Sequence, residues 1–191
     1  RVQIRAGSVV LPLHDPLRVA EEWSVVDNLS GGRVALSFAT GWHDRDFALA
    51  PQNYATRKDV MREGIDIVRR LWRGEERRVT GGRGGELTVK IFPRPVQREL
   101  PVWVTTAGNV ETFRLAGELG ANVLTHLLGQ DAAALEEKIR AYRAARAQHG
   151  FDEGCVTVAL HTFVGDDAAA VRQKVRGPFC RYLIESLDLL K

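Results

Sequence analysis

Leu100-Pro-Val-Trp-Val-Thr-Thr-Ala-Gly-Asn-Val-Glu-Thr112 is the stretch on which the fold turns. Pro101–Thr105 is a short apolar run rich in β-formers, with its proline at the entry, where a missing donor costs least. Ala107-Gly108-Asn109 is a turn, and Asn109 suits the cap of a helix carrying Phe113, Leu115, Ala116 and Leu119 and ending at Gly120. Strand, glycine turn, cap and helix leave backbone N–H groups pointing outward, which is an anion site, and Thr112 adds a hydroxyl one turn in. The same stretch also reads as an ordinary capped strand-to-helix turn.

Upstream, the pattern repeats. Val2–Leu11 reads as a strand interrupted at Gly7-Ser8, where a glycine marks a bulge or a close approach to the backbone. Asp15 and Pro16 start a helix with a stripe at Leu17, Ala20, Trp23 (or Ser24), Asp27 and Leu29, closed by Ser30-Gly31-Gly32. Arg33–Ala39 is a second strand running into Thr40-Gly41-Trp42-His43-Asp44. A long loop follows, Arg45–Ala55. The helix from Arg57 to Arg73 carries Met61, Ile65, Val68 and Leu71/Trp72 on one face. Between Glu75 and Phe92 the rhythm breaks: Arg77-Arg78-Val79 and Leu87–Ile91 flank a glycine cluster, as in a β-hairpin excursion.

Downstream, Ala121–Thr125 is a fourth strand, and Asp131 caps a helix over Ala132–His149. Cys155–Val164 alternates as a fifth strand. A last helix begins after Gly165-Asp166-Asp167, breaks at Gly177-Pro178 and resumes over Phe179–Leu190. Cys155, opening a buried strand, and Cys180 are expected to pack rather than react.

The 191 residues carry 27 Lys+Arg against 24 Asp+Glu, with 45% hydrophobic residues, which is globular composition without a basic nucleic-acid surface. No apolar run reaches the ~18 residues of a membrane span. With no signal peptide visible, a cytoplasmic location is expected. No H-E-x-x-H metal spacing and no G-x-S-x-G elbow is present.

Five strand–helix units imply a parallel sheet. No G-x-G-x-x-G opens a helix, which weakens a doubly wound reading and favours the (β/α)8 barrel of ~250 residues. Five units are too few to close it. The expected fold is therefore α/β, a TIM barrel represented by about five of eight units, with a β-hairpin insertion near 75–92.

The quoted pieces, with Ala6–Pro16, Ala20–Arg33, Gly41–Phe47, Pro93–Gln97 and Leu124–Gln130, give the chain a resemblance to the bacterial luciferase-like flavin monooxygenases, most closely those of natural-product gene clusters. The likeness runs over essentially all of 1–191 as one partial barrel domain. It implies that the third to seventh βα units are represented and that the first two units and the closing strand are absent. It implies flavin contacts at Gly7 and Ser8, where the family often has a non-proline cis peptide, at the strand end Ala39, Thr40 and Trp42, and at Arg57, Thr106, Gly108, Asn109, Thr112, Thr125 and His126. Arg57, Asn109 and Thr112 would hold the phosphate. Luciferase has a cysteine where this chain has Ala39, an arginine at Thr40 and a glutamate at Gly108. The catalytic base is unassigned, with His126 and His43 as candidates at strand ends; His14 belongs to a capping turn.

The implied activity is a monooxygenase using reduced FMN and O₂ on a small-molecule or carrier-tethered biosynthetic intermediate, supplied by a flavin reductase. A non-catalytic flavin-binding partner subunit and a deazaflavin-dependent oxidoreductase are the alternatives. An open parallel sheet exposes apolar edges, so the chain is expected to form homo-oligomers or to be packed in a larger chain.

Overall fold

Strands and helices alternate from Ile4 to Ala159 in the computed structural model, which describes residues 2–188. In chain order they are β1 (Ile4–Val10), α1 (Pro16–Ser30), β2 (Val34–Ala39), α2 (Arg57–Arg73), β3 (Arg77–Thr80), β4 (Glu86–Val89), β5 (Val102–Thr105), α3 (Val110–Glu118), β6 (Asn122–His126), α4 (Ala132–Gln148) and β7 (Val156–Ala159). A second unit begins at Leu160 and contains α5 (Ala168–Asp188).

The five strands β1-β2-β5-β6-β7 hydrogen-bond in that order, every pair parallel. β3 and β4 form a separate antiparallel pair, as the glycine cluster between them suggested. Alternation along β2 sends Val34, Leu36 and Phe38 to one face of the sheet. There they join Met61, Ile65 and Val68 of α2, Val102 and Val104 of β5 and Phe113 of α3 in one core. Three helix starts are capped as read: Leu17 N–H donates to Asp15 (2.7 Å), Glu111 N–H to Asn109 (2.9 Å) and Ala134 N–H to Asp131 (2.8 Å).

A buried polar network locks the return from the hairpin. The Asp27 carboxylate, fully buried on α1, accepts from Gln97 N (2.9 Å) and Nε2 (2.8 Å). Gln97 Nε2 also donates to the Val34 carbonyl (2.9 Å), and the Gln97 carbonyl accepts from Trp72 Nε1 (3.0 Å). At the other end of the sheet, Gly117 lets α3 and α4 touch: a Cβ there would lie 2.5 Å from the Tyr142 carbonyl oxygen. Arg146, buried on α4, donates to the Ala121 carbonyl (2.9 Å) and to Asp152, and this hydrogen bond holds the Asp152 carboxyl below the usual carboxylate range.

Several expectations are corrected. On α1, Ala20, Ser24 and Asp27 of the expected stripe are buried, whereas Leu29 is exposed and Val19 and Ser30 are buried in addition. The loop after β2 contains 3-10 turns at Asp44–Leu49 and Pro51–Asn53, the first packed inward by Phe47. β7 stops at Ala159, which pairs with His126 where β6 itself ends, instead of running to Val164. α5 passes through Pro178 without ending. Proline removes one donor and crowds the carbonyl four residues back, but the residues on both sides stay in the helix. The end of that expected helix, 189–190, lies outside the described residues. Cys155 and Cys180 are both exposed, against the expectation that they pack; Cys155 precedes the edge strand β7.

Candidate functional site at the carboxyl ends of the strands

Parallel strands deliver their following loops to one rim, and ligands bind there because the loops vary without disturbing the sheet. At this rim β1 carries the expected irregularity. The register with β2 slips between Gly7 and Val9, leaving Ser8 as the extra residue, and the Gly7–Ser8 peptide is cis. The bulge turns the Ser8 hydroxyl onto Thr105 Oγ1 at the end of β5, which also meets Ser37 Oγ at 2.6 Å. Three hydroxyls from three adjacent strands are thereby fixed on the face opposite the helix-packed core.

Below them lies a hollow of about 200 Å³ lined by Arg5, Gly7, Ser37, Trp103, Leu124 and Thr157. Gly7 keeps it open, since a Cβ there would come within 3.1 Å of the Leu124 methyl. The Arg5 guanidinium stacks 4.1 Å from the Trp103 ring centre, and Trp103 Nε1 donates to Thr157 Oγ1 (3.2 Å).

Thr105 leads directly into the opening turn of α3. Thr106 is buried, and its N–H donates to the Leu124 carbonyl (3.0 Å). Glu111 N–H and Thr112 N–H are satisfied by Asn109, through its side chain and its carbonyl. Among the described residues, no protein oxygen accepts from the N–H groups of Gly108, Asn109 and Val110. Gly108 adds no bulk in front of them, and the nearest atom to a Cβ built there is Lys138 Nζ at 3.8 Å. Open amides, a bare glycine and the half-buried Thr112 at a helix start fit an anion such as a phosphate monoester.

His126 ends β6 on the same rim. Its Nδ1 accepts from the Leu128 N–H (3.1 Å), which places the proton of the neutral ring on Nε2. Thr125 is buried beside it and accepts from Gln130 Nε2 (3.2 Å); that amide also donates to the His126 carbonyl. Lys138 Nζ donates to Gln130 Oε1 (2.7 Å), so α4 braces this loop.

The β2 loop is organised around itself. Ala39 is buried opposite Val10 and Thr40 is half-buried. Gly41 has φ +87°, and a Cβ there would strike the Phe47 ring at 2.8 Å, so only glycine makes the turn that leaves Trp42 exposed. His43 precedes the first 3-10 turn. Arg57 donates to the Tyr54 carbonyl (2.8 Å) and lies 4.7 Å over the Tyr54 ring, which sits edge-on to Phe47 at 5.1 Å. Among the described residues, no hydrogen bond joins Arg57 to Asn109 or Thr112.

The structure thus brings Gly7 and Ser8 against the end of β5, and through it to Thr106, Gly108, Asn109 and Thr112. It sets Trp42 and His43 in the separately braced loop after β2, and Arg57, the first residue of α2, against Tyr54 of that loop. Sequence reasoning passed over Ser37, Thr105, Gln130 and Lys138. The i,i+2 alternation that puts Ser37 between Ala35 and Ala39 was a usable signal; Lys138 in a charged helix gave none.

A five-stranded parallel sheet with its helices, open amides at a strand–helix junction and a bulged strand beside it defines a segment of a βα barrel. The chain belongs to the luciferase-like monooxygenase family, whose family model matches residues 1–187. 4-Hydroxyprotoasukamycin monooxygenase of Streptomyces nodosus subsp. asukaensis is 28% identical over 199 residues, covering 100% of this chain and 53% of that protein. F420-dependent hydroxymycolic acid dehydrogenase of Mycobacterium tuberculosis is 29% identical over 163 residues, covering 83% and 44%. The oxygenating constituent of 3,6-diketocamphane monooxygenase from Pseudomonas putida, solved with FMN, superposes with a TM-score of 0.80 at 18% identity, covering all of this chain and 58% of that one. The chain therefore spans about half the length of these relatives, of which the Mycobacterium tuberculosis enzyme is F420-dependent and the Pseudomonas putida structure holds FMN. No helix among the described residues is long and apolar enough to cross a membrane.

Proposed function

We propose that this chain is the flavin-binding core of a monooxygenase that uses reduced FMN and O₂ to oxidise a small-molecule or carrier-tethered biosynthetic intermediate, with a flavin reductase as its partner. The observation that carries the reading is the open amide turn at Gly108–Val110, directly continuous with the hydroxyl cluster at the Gly7–Ser8 bulge. Reduced flavin supplies the oxidising chemistry with O₂; the protein supplies binding, orientation and exclusion of water.

In this reading the Gly108–Val110 amides and Thr112 would hold the phosphate, and Arg57, at the start of α2, would add a charge by leaving the Tyr54 carbonyl. Gly7, Ser8 and Ala39 would hold the flat ring. His126 would offer its Nε2–H as a donor to the bound ring or substrate. The edges β1 and β7 pair with further strands of a barrel or are covered by a second copy of the chain.

Titration of the complete protein with FMN tests the reading, and absence of binding contradicts it. Oxygen uptake with reduced FMN supports a monooxygenase. Turnover with reduced deazaflavin alone assigns the chain to the dehydrogenase branch, and binding without turnover on any substrate assigns a partner role. Asn109→Ala removes a cap worth about 1 kcal/mol of stability. It is also expected to weaken FMN several-fold more than riboflavin, read by flavin fluorescence.

A further inference from the structure

We propose that Lys138 is the cation that binds the flavin phosphate in this chain, an inference that rests on the FMN reading above. Lys138 sits on α4 and is half-buried, with its ammonium 3.8 Å from the Cβ position of Gly108, at the mouth of α3. Its one hydrogen-bond partner among the described residues is the neutral amide of Gln130. Among the described residues it has no carboxylate within ion-pair distance. Glu136, its neighbour on α4, is taken by Arg140, and Glu111, the acid of the first turn of α3, faces Arg114.

An uncompensated ammonium next to a helix start is electrostatically opposed, because the exposed N–H groups there carry partial positive charge. The close α3–α4 contact at Gly117 forces that proximity, and the pair becomes favourable when an anion lies between them. A phosphate monoester at the Gly108 turn meets backbone amides on one side and the lysine on the other. Gln130 holds the ammonium at the turn through its carbonyl oxygen, while its amide nitrogen holds the His126 carbonyl. One side chain thus ties the phosphate end of the site to the rim histidine.

The test compares FMN and riboflavin binding to the complete protein, as wild type, Lys138→Met and Lys138→Arg. Lys138→Met is expected to weaken FMN about tenfold or more while riboflavin stays within about twofold, and Lys138→Arg to recover most of the loss. The salt dependence of FMN binding should flatten in Lys138→Met. Parallel weakening of both flavins overturns the assignment by showing a structural role. An unchanged FMN-to-riboflavin ratio in Lys138→Met also overturns it, and leaves the FMN reading standing if wild type still prefers FMN. Failure of wild type to bind FMN overturns both.

Discussion

Trp72→Ala is expected to destabilise the complete protein by about 3–5 kcal/mol, the range for emptying a buried aromatic site. Trp72 is 1% exposed on α2, in the core beneath the sheet, and its indole N–H holds the Gln97 carbonyl. Gln97 in turn occupies the buried Asp27 carboxylate. Removing the indole therefore opens a cavity and loosens the segment that carries the chain from the hairpin back into β5. Trp72→Phe separates the two contributions: it keeps most of the apolar area and loses only the hydrogen bond, for about 1 kcal/mol beyond any repacking. Chemical denaturation of the three proteins gives the comparison. A Trp72→Ala loss below about 1 kcal/mol would contradict the placement of this core.

Gly117→Val is the second large effect. Its Cβ would lie 2.5 Å from the Tyr142 carbonyl oxygen and 2.8 Å from the Ala145 methyl, so one helix must move. Backbone atoms cannot rotate away as a side-chain tip does. Overpacking of this kind costs about 1–3 kcal/mol, and a clash against main chain falls at the upper end. Displacing α4 also withdraws Lys138 from the Gly108 turn. The variant is thus expected to lose FMN affinity preferentially over riboflavin, alongside its lower melting temperature. A Gly117→Val protein with unchanged melting temperature would refute the close helix contact.

The sequence was a good guide where local chemistry decides structure. The 3.6-residue period marked α2 at Arg57–Arg73, and Asp15, Asn109 and Asp131 marked their helix starts through caps that reach only two or three residues. It was a poor guide where a partner distant in sequence decides. Leu29 occupies an apolar position yet is exposed, and Gln97, the partner that satisfies the buried Asp27, lies 70 residues away. Pro178 reads as a stop, yet α5 continues through it.

The site divides in the same way. The Gly7–Ser8 irregularity and the Gly108–Asn109 turn were legible, because glycine and a capping residue announce backbone geometry. The Ser8–Thr105–Ser37 contact needed strand order and register, and Lys138 needed the α3–α4 spacing. Neither is encoded by neighbours in sequence.

The most direct measurement is of backbone amide shifts in the ¹⁵N-labelled complete protein, titrated with FMN and separately with riboflavin. FMN should shift Gly108, Asn109 and Val110 strongly, riboflavin should leave those three nearly still, and both should shift Gly7 and Ser8. If FMN binds while the Gly108–Val110 amides stay where they were, the phosphate lies elsewhere and the proposed cofactor site is wrong.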